Sequence, residues 1–138
     1  MHHYQQLLRI RTHGKSFSAV TPQVAAIVSQ SGITAGLCTL FLRHTSASLV
    51  IQENADPDVL KDLATFLAGL VPEDGRYIHG AEGPDDMPAH IRTALTSTSE
   101  QIPIADRRLL LGTWQGVYIW EHRDRPHTRE LVVQVMGS

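Results

Sequence analysis

Over residues 33–44 both alternating sets of side chains are apolar or small, Ile33, Leu37 and Phe41 on one side and Cys38, Leu40 and Leu42 on the other. A strand of that kind needs cover on both faces, so it belongs inside a sheet that other elements enclose. Its neighbours are legible in turn. Residues 4–12 alternate, with Tyr4, Leu8 and Ile10 opposite Gln5, Arg9 and Arg11, as a strand with one covered face does. A short strand over 48–51 follows, and strands over 100–104, 109–113, 116–122 and 129–136 are separated by the turn sequences Ala105-Asp106-Arg107 and Asp124-Arg125-Pro126-His127.

Three helices punctuate these strands. Thr21-Pro22 supplies a cap and a first-turn proline, Val24, Ile27 and Val28 a buried stripe, and Ser31-Gly32 a stop. Asp56-Pro57-Asp58 opens a second helix, in which Leu60, Leu63, Ala64, Leu67, Leu70 and Val71 keep helical spacing. Pro88 is expected to begin a short third helix to about Leu95, with Asp85 and Asp86 near its positive end. The order strand, helix, two strands, two helices and a closing meander predicts a single α+β domain over residues 1–138. Few helices are present to cover so many two-sided strands, so part of the sheet is expected to be buried by a symmetric copy of the chain.

Composition narrows the function classes. A net charge of -2 and 19% charged residues give no polybasic footprint, which argues against nucleic-acid binding. No apolar run approaches the ~20 residues of a membrane span, and the amino terminus lacks a signal pattern. The single Cys38 sits in an apolar run and reads as a buried thiol, which fits a cytoplasmic protein.

The chemistry-bearing residues concentrate between His44 and His90. His44 ends the central strand, His79 lies in a long Gly/Pro-rich connection over 72–87, and His90 enters the first turn of the helix after it. Three imidazoles from such places can converge on a divalent metal, although their spacing matches no standard zinc motif. Glu53 and Asp86 flank them as candidate catalytic acids or bases, with helix capping as the structural alternative. Thr45 and Ser46 offer hydroxyls beside His44, and Arg43, Arg123 and Arg129 offer charge to a phosphate or carboxylate. Glu121 shares a face with Val117 and Ile119, where a carboxylate needs a function or a partner such as Arg123 or Arg129. His122 falls on the other face, with Tyr118 and Trp120. Gln115 lies in Gly112-Thr113-Trp114-Gln115-Gly116, a tight connection that either packs Trp114 or lines a pocket.

Several of these words occur together in one family. His44-Thr45-Ser46-Ala47, Glu53-Asn54-Ala55-Asp56-Pro57-Asp58, His79 with the run from Glu82 to His90, and Leu111-Gly112-Thr113-Trp114-Gln115-Gly116 resemble, in order, the signatures of the YjbQ-like family. The resemblance implies an α+β fold with a large mixed, mostly antiparallel sheet, a homotrimer, and a metal pocket at His44, His79 and His90. Glu53, Asp86, Gln115 and Glu121 fall on other characteristic positions. A thiamine-phosphate synthase activity is implied as well, yet displacement of pyrophosphate is usually served by Mg²⁺ among oxygen donors, whereas imidazoles favour Zn²⁺, Ni²⁺, Co²⁺ or Fe²⁺. The expectation is a zinc-dependent enzyme acting on a small phosphorylated metabolite, with the thiamine reaction secondary. The alternative is a trimeric protein that binds a metal or small ligand without catalysis.

Overall fold

The computed structural model describes residues 1–138. In chain order its elements are β1 (His2–Arg11), β2 (Ser16–Ala19), α1 (Thr21–Ser31), β3 (Gly36–Leu42), β4 (Ala47–Glu53), α2 (Pro57–Leu70), α3 (Asp86–Leu95), β5 (Ser99–Ala105), β6 (Arg108–Leu109), β7 (Gln115–Glu121) and β8 (Thr128–Gly137). This is the expected α+β fold. The strands divide between a five-stranded sheet of order β1-β8-β3-β5-β6 and a three-stranded sheet of order β2-β7-β4. Every pairing in both is antiparallel.

The main core lies between the two sheets. Cys38, Leu40 and Leu42 of β3 and Leu131, Val133 and Val135 of β8 face Leu49, Val117 and Ile119 of the smaller sheet, with Val24, Ile27 and Val28 of α1 closing one side. Each fully buried Leu or Ile here contributes about 1.5–3 kcal/mol relative to exposure. A second cluster of Leu67, Val71 and Trp120 covers the other face of the small sheet with α2 and α3. The molecule is therefore layered as large sheet, small sheet, helices, and strand alternation decides which layer each residue of β7 reaches.

Several sequence expectations change in detail. Leu37 and Phe41 were expected to be covered, but they lie on the open face of the large sheet, where Phe41 is 49% exposed. The two-sided apolar pattern of β3 is therefore met on only one side within a single chain. The strand expected over 109–113 shrinks to Arg108–Leu109. Beyond it Gly112 and Gln115 close a turn, Gln115 N donating to Gly112 O at 3.1 Å and Gly112 N to Gln115 Oε1 at 2.8 Å.

β2 was not anticipated. Its four residues, Ser16-Phe17-Ser18-Ala19, alternate but are too few to announce a strand, and it forms by pairing with β7. Thr21 does not cap its own helix. Its hydroxyl accepts from Val117 N at 2.8 Å and so ties the start of α1 to β7. Asp56 does cap α2, its Oδ1 accepting from Asp58 N at 2.9 Å. No helix is long and apolar enough to cross a membrane.

Candidate metal centre

α3 begins at Asp86, two residues before the proline expected to start it. That shift puts Asp86 and His90 at helical positions i and i+4, on one face. His79 reaches the same point from the 72–85 connection. Asp86 Oδ2 lies 2.6 Å from His79 Nε2 and 3.1 Å from His90 Nε2. The two imidazole rings stand 5.5 Å apart at 68°. One donor atom from each of the three residues falls within 4.8 Å of the others.

Asp86 is 1% exposed and held from its other side. Arg123 Nη1 sits 2.8 Å from Asp86 Oδ1, while Arg123 Nε donates to Asp85 Oδ2 at 2.8 Å. Asp85 Oδ2 also accepts from Asp124 N at 2.9 Å. Burial opposes the charge on Asp86, but the hydrogen bond from His79 and the charges of His90 and Arg123 outweigh it and hold the carboxyl below the usual carboxylate range.

The tautomer of His90 follows from its second partner. His90 Nδ1 lies 3.0 Å from the Thr45 carbonyl, which can only accept, so Nδ1 carries a proton. In the neutral ring Nε2 then presents a lone pair to an ionised carboxylate. Two acceptors at 3.1 Å need positive charge between them, either a second proton on the ring or a bound cation.

His44 stands apart from this group. Its Nε2 accepts from Glu130 N at 2.7 Å, which uses the lone pair that a metal would need and leaves the proton on Nδ1. Burial, followed by the charge of Arg129, pushes its pKa down and keeps the ring neutral. His44 and His90 do share one depression of about 600 Å³, whose wall also carries Arg43, Thr45, Thr93, Thr96 and Thr98.

The remaining candidates separate. Glu53 lies at the far end of β4, about 20 Å along the strand from Ala47. Its Oε2 accepts from Ala55 N at 3.1 Å and Asp56 N at 3.3 Å, so it stabilises the turn into α2. Gln115 pairs with Glu53 in register and braces the Gly112 turn. Glu121 and Arg129 end the inward-facing series of the two sheets and join them. Arg129 Nε donates to Glu121 Oε1 at 2.7 Å and its Nη2 bonds Glu121 Oε2, Ser46 O and Ser46 Oγ.

Thr12 Oγ1 also donates to Glu121 Oε1, at 2.6 Å, and His122 N and Arg123 N donate to Oε2. Burial again opposes the Glu121 charge, and the bonds from Arg129 and Thr12 prevail to lower its pKa. Thus Ser46, Glu121 and Arg129 form a buried network, while Thr45 touches the His90 ring through its carbonyl. Arg123 was expected to pair with Glu121 or to meet a phosphate or carboxylate of a ligand, and instead its guanidinium holds Asp85 and Asp86. The adjacent acids Asp85-Asp86 were the signal that it had another role.

The whole chain has relatives. Residues 6–138 match the family model described as "UPF0047 protein YjbQ-like". UPF0047 protein sll1880 of Synechocystis is 64% identical over 136 residues, spanning 98% of this chain and 92% of that relative. The YjbQ protein of Escherichia coli O157:H7 is 37% identical over 98% of this chain and 99% of its own length. Among solved structures, an uncharacterized YjbQ/UPF0047 protein of Clostridium acetobutylicum matches with a TM-score of 0.88 and 37% identity over 95% of this chain and 99% of that one. A hypothetical protein of Aeropyrum pernix matches with a TM-score of 0.89 at 26% identity, covering 98% of this chain and 99% of that one. With the family model matched over residues 6–138, relatives 64% and 37% identical over nearly the whole chain and the same fold in a solved member, the chain belongs to the UPF0047 YjbQ-like family.

Proposed function

We propose that the chain is a metal-dependent enzyme acting on a small phosphorylated metabolite, with His79, Asp86 and His90 as its donors to a zinc ion. One observation carries the reading: the ring nitrogens of His79 and His90 converge on one oxygen of the buried Asp86, with the three donor atoms within 4.8 Å of one another, and a cation there would take the place of the protons that otherwise bridge them. Two imidazoles and one carboxylate are a donor set that zinc takes in catalytic sites with a position left open, and iron(II), cobalt(II) or nickel(II) also fit it. Magnesium, which prefers oxygen donors and several waters, fits it less well. Taking a cation requires the 2.6 Å contact of His79 to widen, and His79, with its side chain 44% exposed on a connecting segment, has room to do so.

Held by these residues, zinc would supply Lewis-acid chemistry toward water and a phosphoryl oxygen. The chain's own residues supply the rest. Arg123 fixes the Asp86 carboxylate, and the Thr45 carbonyl fixes the His90 ring with Nε2 toward the site. The depression beside His90 offers Arg43, threonine hydroxyls and the His44 Nδ1–H to an anionic substrate. Thiamine-phosphate condensation remains a side activity in this reading, because its usual metal suits these donors poorly.

Association into a homotrimer belongs to the same proposal. On the open face of the large sheet Leu7, Val132 and Phe41 stand in one cross-strand row, and Met136 and Leu37 in another. Apolar rows at the centre of a solvent-facing sheet favour burial against further copies.

Elemental analysis of untagged protein, beside a His79→Ala/His90→Ala variant, tests the metal. Near-stoichiometric zinc, iron, cobalt or nickel that is lost in the variant is the expected result. Wild-type protein that is metal-free and takes up no added zinc overturns it. Metal that is bound without turnover of any phosphorylated metabolite favours the non-catalytic binding protein, and turnover that survives in Asp86→Asn would remove Asp86 from the reaction.

A further inference from the structure

A cavity lies on the other side of α3. Phe17 and Trp120 stack with centroids 4.6 Å apart, and with Leu60, Ala64 and Leu67 they wall a cavity of about 230 Å³. Arg92 lines this cavity and is two residues from His90, about 200° around the helix, so the cavity and the metal donors occupy different faces.

Arg92 is the anomaly there. It is only 5% exposed. Its Nη2 donates to the Val71 carbonyl at 2.9 Å, while its Nε is buried with no acceptor. Glu121, the acid that lines the same cavity, is already saturated by Arg129, Thr12 and two backbone amides. A buried guanidinium without a counter-ion is costly, and an anion in the cavity offsets that cost.

We propose that this cavity binds a small aromatic monocarboxylate, with its ring against Phe17 and Trp120 and its carboxylate on Arg92. The volume holds about eight waters at ~30 Å³ each, or a compact molecule of roughly ten non-hydrogen atoms. A single negative charge matches the cations present. Lys15 is engaged by Glu73 and Asp124. The His122 ring, which also lines the cavity, stays neutral because burial, then the charge of Arg92, lowers its pKa to about 3. The apolar walls favour an aromatic body over a polar one.

Trp120 reports on its own cavity once Trp114, the other indole of the chain, is replaced. Titration of the Trp114→Phe protein with phenylacetate is expected to give a saturable change in Trp120 emission, with phenylacetamide at least about tenfold weaker. Arg92→Met in that background is expected to abolish the preference for the acid. Ala64→Phe, which fills the cavity without touching the arginine, is expected to abolish both responses. His79→Ala/His90→Ala is expected to leave phenylacetate binding unchanged, separating this site from the metal reading. Absence of a saturable response up to about 20 mM phenylacetate overturns the proposal, as does equal binding of acid and amide or a response that survives Ala64→Phe. The acid–amide comparison and Ala64→Phe still decide the matter if Arg92→Met fails to fold.

Discussion

Arg123 Nη1 lies 2.8 Å from Asp86 Oδ1, and this contact decides which oxygen of the carboxylate faces the two histidines. Groups that orient a metal ligand from behind typically change affinity by about 10–100-fold when removed. Arg123→Lys keeps a charge but loses the planar fork that spans Asp85 and Asp86. Its zinc affinity, measured by competition with a chelator, is expected to fall by about that factor while far-ultraviolet circular dichroism stays native. Undiminished affinity in a folded variant would remove Arg123 from the centre.

The elements of the fold were largely legible in the sequence because their signals are local. The apolar run of β3, the Asp56-Pro57 start of α2 and the alternation of β7 each appear within a few residues. What was not legible depends on distant partners. β2 exists because β7 offers it an edge, and Glu121 is explained by Arg129 eight residues away on another sheet. His79 and His90, singled out from their positions in a loop and at a helix start, do lie together in the structure. Asp86 was a candidate beside them, but its contact with both rings was not legible, because its helical register with His90 requires α3 to start before Pro88. His44 looked equivalent to them in sequence and differs only through the Glu130 amide that occupies its Nε2.

The buried pair of Glu121 and Arg129 joins the two sheets, so loss of one member leaves the other charged and unpaired. Arg129→Met is expected to destabilise the fold by about 3–5 kcal/mol in urea unfolding. Adding Glu121→Gln is expected to restore part of that loss, because the remaining charge is then gone. A double variant as unstable as the sum of the two singles would show that the pair does not act as a unit.

His122 is 1% exposed, and burial, reinforced by Arg92, holds its pKa at about 3 in the folded protein. An unfolded histidine takes its proton near pH ~6.5, so between these values the unfolded state binds more protons. Stability contributed by the neutral ring is therefore full above about pH 6.5 and falls with pH by about 1.4 kcal/mol per unit below it. His44, whose pKa is also lowered, acts in the same direction. Asp85, Asp86 and Glu121 have depressed values and lose their contributions only as pH drops below the usual carboxylate range. The window of about pH 4.5–6.5 therefore isolates the histidines. Urea midpoints across it are expected to rise with pH in the wild type and to flatten in His122→Gln, which retains a polar group toward Ser48. An equal slope in both proteins would assign the effect elsewhere.

Phe41 stands beside Val132 on β8, which stands beside Leu7 on β1, and this row occupies the middle of the open face. If copies of the chain associate through that face, a charge at its centre is desolvated without a partner in the assembly but remains hydrated in the monomer. Phe41→Glu is therefore expected to dissociate the trimer while leaving the monomer fold intact, because Phe41 lies outside the buried core. Light scattering after size exclusion measures this directly, with the wild type at about three times the 15.3 kDa chain mass and the variant at the chain mass itself. Glu100→Ala, on β5 at the register position of Leu40, lies outside the row of Leu7, Val132 and Phe41 and serves as a control. A wild type that elutes as a monomer, or a Phe41→Glu variant that keeps the wild-type mass, would place the association surface elsewhere or rule it out.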